Sequence, residues 1–420
     1  MTRLDLATHT SSSRPAFRSL LLSSATALAC GLSLMTACGD DDGNAPINGA
    51  GSGGRAGSGG NGGDGGSAGS AGAGGSGGSA GGQNAGGTTG TVEVLSTADG
   101  LRAPTTAAVR GTNLWVVNGQ LSGLFGGAAP VLPFNVVSLP LTGGAIGATP
   151  IVLAGDAFYP EGIAAAADGT LYVGSVNLGT VVRIAANATA PDTTPFVADS
   201  VSRGGVIGLT VDEERDLLWF CDSVFGAGSD LVGVDLDDGT ETVRHAMPNP
   251  GASTGTPDAG PDSGVDAGGD AQAAPAGPFT FCNDVIVDAN DNILATDSSG
   301  RIFRVPAANA LQANSAVVWL EAPALAPPMP GGFGVNGLDL VGGQLIIANG
   351  GLFAIDPASN TPAATVRPIT LTLDGAPVTL CGPDGLQSVP GSTTDIVVVE
   401  NGGCMPSVDR VVRVTLDLAQ

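Results

Sequence analysis

The chain has 420 residues and a formal net charge of −24, and aromatic residues make up only 4% of it. So acidic a chain is repelled by nucleic-acid phosphates and gains no electrostatic attraction to anionic lipid, which excludes nucleic acid as a partner. Hydrophobic residues reach 42%, and 68 Gly and 28 Pro supply many turns, so we expect an all-β core of Val, Ile, Leu and Ala.

The first 37 residues read as a lipoprotein signal peptide. Three arginines precede the apolar run 20–35, and small residues then lead to Cys38. This order predicts export. A Cys at the cleavage point resembles the bacterial lipobox, in which that Cys is acylated. We predict a cell-envelope protein held to the membrane through lipid on Cys38 alone. Cleavage at Cys30, or secretion without an anchor, are the alternatives.

Residues 38–90 are predicted to be a disordered tether, because they are almost entirely Gly, Ser, Ala, Asn and Asp. The folded domain is then expected to be 91–420. No later segment reaches the roughly 20 apolar residues that a membrane span requires.

From residue 92 onward one pattern occurs six times: a turn, a short apolar strand, a Gly or Asp turn, and a second apolar strand. Corresponding positions are 105, 161, 207, 283, 336 and 384, with spacings of 56, 46, 76, 53 and 48 residues. Further short strands follow in several copies, and four strands in about 50 residues are typical of a propeller blade. The long spacing contains the low-complexity segment 248–278, which we predict to be disordered. The sequence thus predicts a six-bladed β-propeller.

The ends of the domain predict how the ring closes. The sixth copy has only three strands and ends at 411–416, whereas an unassigned strand, 92–95, precedes the first copy. If that strand completes the last blade, no sheet edge is left unpaired there.

Each innermost strand of a propeller begins at the same rim of the central channel, so the six matched side chains are expected to face one another. They are Thr105, Glu161, Ile207, Asn283, Asn336 and Asp384. Four carry carboxylate or amide oxygens, which hard divalent cations prefer, and the two carboxylates balance a charge of 2+. Ordinary turn chemistry at Asn and Asp is the alternative interpretation.

The segments 160–162, 282–284, 335–339 and 383–385 resemble the senescence marker protein/gluconolactonase/luciferin-regenerating enzyme family, whose members are six-bladed propellers. The resemblance implies Glu161, Asn336 and Asp384 as metal ligands, with Ca²⁺ as the expected ion. It also implies that Asn283 contacts substrate and that Asp384 is the general base. The second matched blade, at Ile207, departs from this pattern because its residue is apolar.

Two functions are open at this point. One is a metal-dependent hydrolase of a small lactone or ester, in which the cation polarises the carbonyl and a carboxylate takes a proton from water. The other is a non-catalytic propeller that binds an envelope partner. A Ser-His-Asp set is not expected, since the only histidines are His9 and His245, and we predict His245 to lie on the surface. The protein is expected to be a monomer.

Four cysteines remain after Cys38, and an even number in an exported chain predicts disulfides. Strand direction places all four at the channel rim, which favours the pairs Cys221–Cys282 and Cys381–Cys404 among three possible pairings. The apolar loop 121–134 in blade 1 is also expected at this rim, where it either lines an apolar pocket or packs as core.

Overall fold

A computed structural model describes residues 88–97, 100–125, 127–200, 203–250, 279–328, 332–402 and 407–418. The predicted signal peptide, Cys38, nearly all of the tether, and residues 251–278 of the insert lie outside the described residues. The predictions made for those segments are therefore still predictions.

The described strands form six sheets arranged as blades, and the predicted six-bladed β-propeller is confirmed. Strand β1 (Thr89–Ser96) comes first. Blade 1 then has β2 (Pro104–Arg110), β3 (Asn113–Asn118), β4 (Asn135–Pro140) and β5 (Ile151–Val152). Blade 2 has β6 (Pro160–Ala165), β7 (Leu171–Ser175) and β8 (Val181–Ile184). Blade 3 has β9 (Gly205–Asp212), β10 (Leu217–Val224), β11 (Gly228–Asp235) and β12 (Glu241–Met247).

The second half repeats this arrangement. Blade 4 has β13 (Cys282–Val287), β14 (Ile293–Asp297), β15 (Arg301–Val305) and β16 (Val317–Glu321); blade 5 has β17 (Leu338–Val341), β18 (Gln344–Ala348), β19 (Leu352–Ile355) and β20 (Arg367–Pro368); a hairpin of β21 (Thr370–Leu373) and β22 (Ala376–Val378) follows; blade 6 has β23 (Pro383–Ser388), β24 (Asp395–Asn401) and β25 (Asp409–Asp417). Short 3-10 helices span Leu121–Phe125, Ala307–Asn309, Pro323–Leu325 and Pro362–Thr365. Among the described residues, no helix has the length and apolar character needed to cross a bilayer.

Strand β1 closes the ring as predicted. It pairs antiparallel with β25, with Val92 opposite Val414 and Val94 opposite Val412. The β21–β22 hairpin, which the repeat pattern did not predict, adds to the outer edge of this sheet through parallel pairing of β21 with β1. The outermost part of blade 6 is thus built from both ends of the domain.

Buried apolar residues of the described chain form one cluster at each interface between neighbouring blades, including the interface between blades 6 and 1. Successive residues of one strand serve opposite interfaces because side chains alternate across a strand. In β10, Trp219 packs between blades 3 and 4, and Phe220 packs between blades 2 and 3. The inner strands are therefore covered on both faces, which explains their unbroken apolar runs.

The prediction that His245 lies on the surface is wrong. The residue is on an outer strand, β12, but it is fully buried. Its Nδ1 accepts a hydrogen bond from the Ser315 backbone N–H at 3.1 Å, so its Nε2–H donates to the Ala310 carbonyl at 2.9 Å. Burial lowers the pKa of His245. The neutral imidazole joins blade 3 to a loop of blade 4.

Removing β1 should open the ring. We expect a chain starting at residue 98 to lose cooperative thermal unfolding and to aggregate, because β25 then presents an unpaired edge. A chain starting at residue 88 is the matched control and should unfold cooperatively. Differential scanning calorimetry with light scattering measures both, and equal transitions for the two chains would contradict closure by β1.

Candidate functional site

The first residues of the inner strands meet at one end of the channel. The Thr105 hydroxyl donates to the Glu161 carbonyl at 2.8 Å, which links blade 1 to blade 2. Between blades 5 and 6, a Cβ added to Gly337 would lie 2.3 Å from the Asp384 carbonyl oxygen. Gly208 has a φ of +37°, and a Cβ there would lie 2.4 Å from the Asn283 carbonyl oxygen. Only glycine permits such close approach, so the blades converge tightly on the axis.

Glu161 and Asp384 both lie at the start of inner strands at this end of the channel, and the charge of Asp384 acts on Glu161. Each residue is only 5% exposed. Burial raises the pKa of both carboxyl groups, and the Asp384 charge raises that of Glu161 further. The Glu161 Oε2 accepts the Gly208 backbone N–H at 3.0 Å. The Asp384 Oδ2 accepts the Asn401 amide at 2.7 Å.

Four other buried carboxylates of the described chain have an arginine partner. Asp297 pairs with Arg301 at 2.6 Å, and Asp212 pairs with Arg215 at 2.7 Å. Glu400 pairs with Arg410, and Asp222 with Arg244. In the described part of the chain, neither Glu161 nor Asp384 has an ion pair of this kind. Two carboxylates that repel each other are thus buried without a cation, which is costly.

Two further acids, which the sequence analysis did not single out, lie on the same inner strands. Asp284 accepts backbone N–H groups of Val285 at 2.9 Å and Leu338 at 3.3 Å. Asp339 likewise accepts N–H groups of Leu340 and Ser388. Each acid therefore bonds to the inner strand of the next blade. Burial raises the pKa of Asp284 to about 8 and also raises that of Asp339.

The two Asn residues of the predicted ring are both held by hydrogen bonds. The Asn336 side chain forms a hydrogen bond with Asp384 that lowers the pKa of that carboxyl. The Asn283 amide nitrogen donates to the Ser298 hydroxyl at 3.2 Å, which orients the amide. Ile207 behaves differently, because it packs in the core between blades 3 and 4. The ring thus has five polar positions and one apolar position.

A disulfide joins Cys221 within β10 to Cys282 at the start of β13, as predicted. It fixes blade 3 to blade 4 next to Asn283. Cys381 is also disulfide-bonded. Its predicted partner, Cys404, lies outside the described residues, so that pairing stays a prediction.

The apolar loop of blade 1 lies at the rim, as expected. One part of the loop packs as core, and another part is exposed apolar surface. Phe134 is fully buried in the core between blades 1 and 2. The 3-10 helix Leu121–Phe125 is half-buried, and Val131 and Leu132 are exposed. The loop therefore packs at its end and offers apolar surface in its middle.

Comparisons with known proteins agree on the fold. Residues 147–184 match the family described as Strictosidine synthase-like, N-terminal. A luciferin-regenerating enzyme is similar in structure, with 11% identity, coverage of 79% of this chain and 96% of that chain, and a TM-score of 0.52. A protein assigned as a gluconolactonase shows 13% identity, coverage of 78% and 92%, and a TM-score of 0.49.

Virginiamycin B lyase from Staphylococcus aureus is also similar, with 12% identity, coverage of 77% and 98%, and a TM-score of 0.46. No curated protein matches the sequence. The resemblance predicted from the motifs is confirmed at the level of the six-bladed propeller fold.

The residues at the axis fit a hard cation by their donor chemistry. Within the described ranges, no group of three or more His, Cys, Asp or Glu side chains forms a metal site. The candidate donors are instead two carboxylates with amide oxygens, a mixture that Ca²⁺ accepts together with water. Burial raises the pKa of both Glu161 and Asp384, and a cation bound between them would stabilise their charged forms.

Asp284 should make stability depend on pH. Its folded pKa, about 8, lies above the unfolded value, so its contribution is complete at low pH and is lost as pH rises through the folded pKa. We expect chelator-treated protein to lose stability between pH 6 and pH 9. In Asp284→Asn this loss should be smaller by about 1 kcal/mol or more. Urea unfolding at both pH values measures the difference.

The matched control is Asp212→Asn, which removes a buried carboxylate that has an arginine partner. Its loss of stability between the two pH values should equal that of the parent protein. An Asp284→Asn variant with the parent's pH dependence would contradict this role of burial.

Proposed function

We propose that this protein is a metal-dependent hydrolase of lactones or related esters, with a divalent cation, most simply Ca²⁺, at the rim of the channel. The observation that carries the proposal is the burial of Glu161 and Asp384, whose charges interact, at one end of the channel without a cationic partner in the described chain. Glu161, Asn336 and Asp384 would hold the ion, and Asn283 would contact the substrate. The structural likeness to a luciferin-regenerating enzyme supports the scaffold and does not identify the substrate.

The chemistry follows from the residues at the axis. When bound, the cation supplies a positive charge that polarises the substrate carbonyl and stabilises the developing oxyanion. Asp384 takes a proton from a water molecule, whose oxygen forms a bond to the carbonyl carbon. The bond from that carbon to the ring oxygen then breaks, and the proton passes to the leaving alcohol oxygen.

Asp384 is suited to this role by its surroundings. Burial raises its pKa from the ordinary aspartate value toward neutrality, where a group takes up and releases a proton with little cost. The amide of Asn401 donates to one carboxylate oxygen, which holds the group in position. Asn283, anchored by Ser298, would orient the substrate across the ring from the base.

The cellular setting is part of the proposal. The amino-terminal segment supports export and attachment through lipid on Cys38, with residues 38–90 as a tether. The disulfide between Cys221 and Cys282 agrees with an oxidising compartment.

Calcium should stabilise the protein through the axial carboxylates. We expect the melting temperature of chelator-treated protein to rise by several degrees on adding millimolar Ca²⁺, since a ligand of the native state stabilises it. In Glu161→Gln and Asp384→Asn this rise should disappear, because each variant removes a charged donor. Differential scanning fluorimetry measures it.

Asp212→Asn is again the matched control, since Asp212 lies at the opposite end of inner strand β9. It should lower the melting temperature and keep the calcium-induced rise. Equal calcium shifts in all four proteins would exclude a cation at the axis.

Hydrolysis should depend on the same residues. We expect Asp384→Asn to lower kcat for a hydrolysed lactone by about 100-fold or more, since a general base contributes about 10²–10⁴. A pH-stat assay over a lactone panel measures turnover. A calcium shift without turnover of any lactone or ester would leave a structural ion in a non-catalytic binding propeller.

A further inference from the structure

One side of the rim is lined by a series of phenylalanine rings. Phe125 lies 5.3 Å from Phe225, Phe225 lies 4.7 Å from Phe281, and Phe281 lies 5.2 Å from Phe333, measured between ring centroids. These residues belong to blade 1 and to blades 3, 4 and 5. We call these four residues the aromatic wall. It follows the rim along blades 3, 4 and 5, where Phe225 and Phe333 also pack against the core between blades 3 and 4.

The 3-10 helix Leu121–Phe125 bridges the gap in this wall at blade 2. A Cβ added to Gly123 would lie 3.0 Å from the Tyr159 hydroxyl, so the helix lies against the segment that leads into Glu161. Leu121 and Leu124 pack against the core between blades 1 and 2 and also against the core between blades 3 and 4. A segment of blade 1 therefore extends over blade 2 to reach blade 3.

The wall borders the polar ring. Phe281 precedes Asn283 by two residues, Phe333 precedes Asn336 by three, and Phe225 directly follows the rim end of β10. Phe125, Phe225 and Phe333 are half-buried, so part of each ring remains accessible. The polar ring, which is rich in oxygen atoms, thus lies next to the aromatic wall.

The same rim carries further exposed apolar side chains. Val131 is 51% exposed, Leu132 is 42% exposed and Leu178 is 38% exposed. The entrance therefore offers apolar contact, and a polyhydroxylated substrate would find few hydrogen-bonding groups on the aromatic wall.

We propose that the substrate is a lactone or ester with an aryl or medium-length alkyl substituent, which the aromatic wall binds while the carbonyl lies over the ring. This assignment rests on the proposed hydrolase function. The wall then selects substrates by apolar burial, and the ring performs the chemistry. Phe225, the centre of the series, is the residue on which this selection depends most.

The test compares two substrates and two non-reactive analogues. A phenyl-substituted δ-lactone and glucono-δ-lactone are assayed for kcat/KM, and the matching phenyl-substituted and polyhydroxylated δ-lactams are titrated calorimetrically. Wild-type protein should prefer the phenyl compound in both measurements. Phe225→Ala should lower kcat/KM for the phenyl lactone by about 10-fold, the effect of losing an aromatic contact and its buried area, and should weaken binding of the phenyl lactam similarly.

Two variants control for general destabilisation. Phe196→Ala removes a partly buried ring that packs on Tyr172 away from the rim, and it should leave the preference unchanged. Phe225→Leu keeps apolar volume and should retain most of the preference for the phenyl lactone over glucono-δ-lactone.

The outcomes separate this inference from the function on which it rests. Binding of the phenyl lactam that depends on Phe225, without turnover of any lactone, would support the wall and end the hydrolase proposal. Turnover with a preference for glucono-δ-lactone, or with a preference that Phe225→Ala does not change, would overturn the inference and leave the hydrolase intact.

Discussion

Two carboxylates, Glu161 and Asp384, are buried at the point where six inner strands converge, and they repel each other there. Elsewhere in the described chain a buried acid such as Asp297 or Asp212 has an arginine beside it. The axial pair has backbone and amide donors only. A cation between them would remove the repulsion.

Closure of the ring and assembly of the candidate site therefore depend on the same contacts between inner strands. The close approach at Gly337 and Gly208 brings the inner strands together, and Asp284 and Asp339 bond each strand to the next blade. These two acids are satisfied by backbone N–H groups, so they stabilise the ring in the form seen here. Glu161 accepts one backbone N–H group, and Asp384 accepts side-chain amides of Asn401 and Asn336 instead of bonding to the next inner strand.

Much of the fold could be predicted from the sequence because a propeller blade is a local unit that is repeated. The matched positions, the closing strand and the pair Cys221–Cys282 all follow from the register of the repeat.

The burial of His245 could not be predicted, because its partners come from a loop of the next blade about 65 residues away. Asp284 and Asp339 stood in the quoted motifs, but their contacts cross blades and carry no signal in the local pattern. The apolar loop of blade 1 was placed at the correct rim, whereas its contact with Phe225 depends on how blades 1 and 3 curve around the axis.

The account depends most on a cation held between Glu161 and Asp384. A crystal structure of the protein grown with Ca²⁺, and with Mn²⁺ for its anomalous signal, tests this directly. We predict one ion on the propeller axis with both carboxylates among its ligands, at about 2.3–2.6 Å for Ca²⁺. Crystals soaked to saturation that show no anomalous peak at this point, with both carboxyl groups bonded to protein atoms alone, would contradict the account.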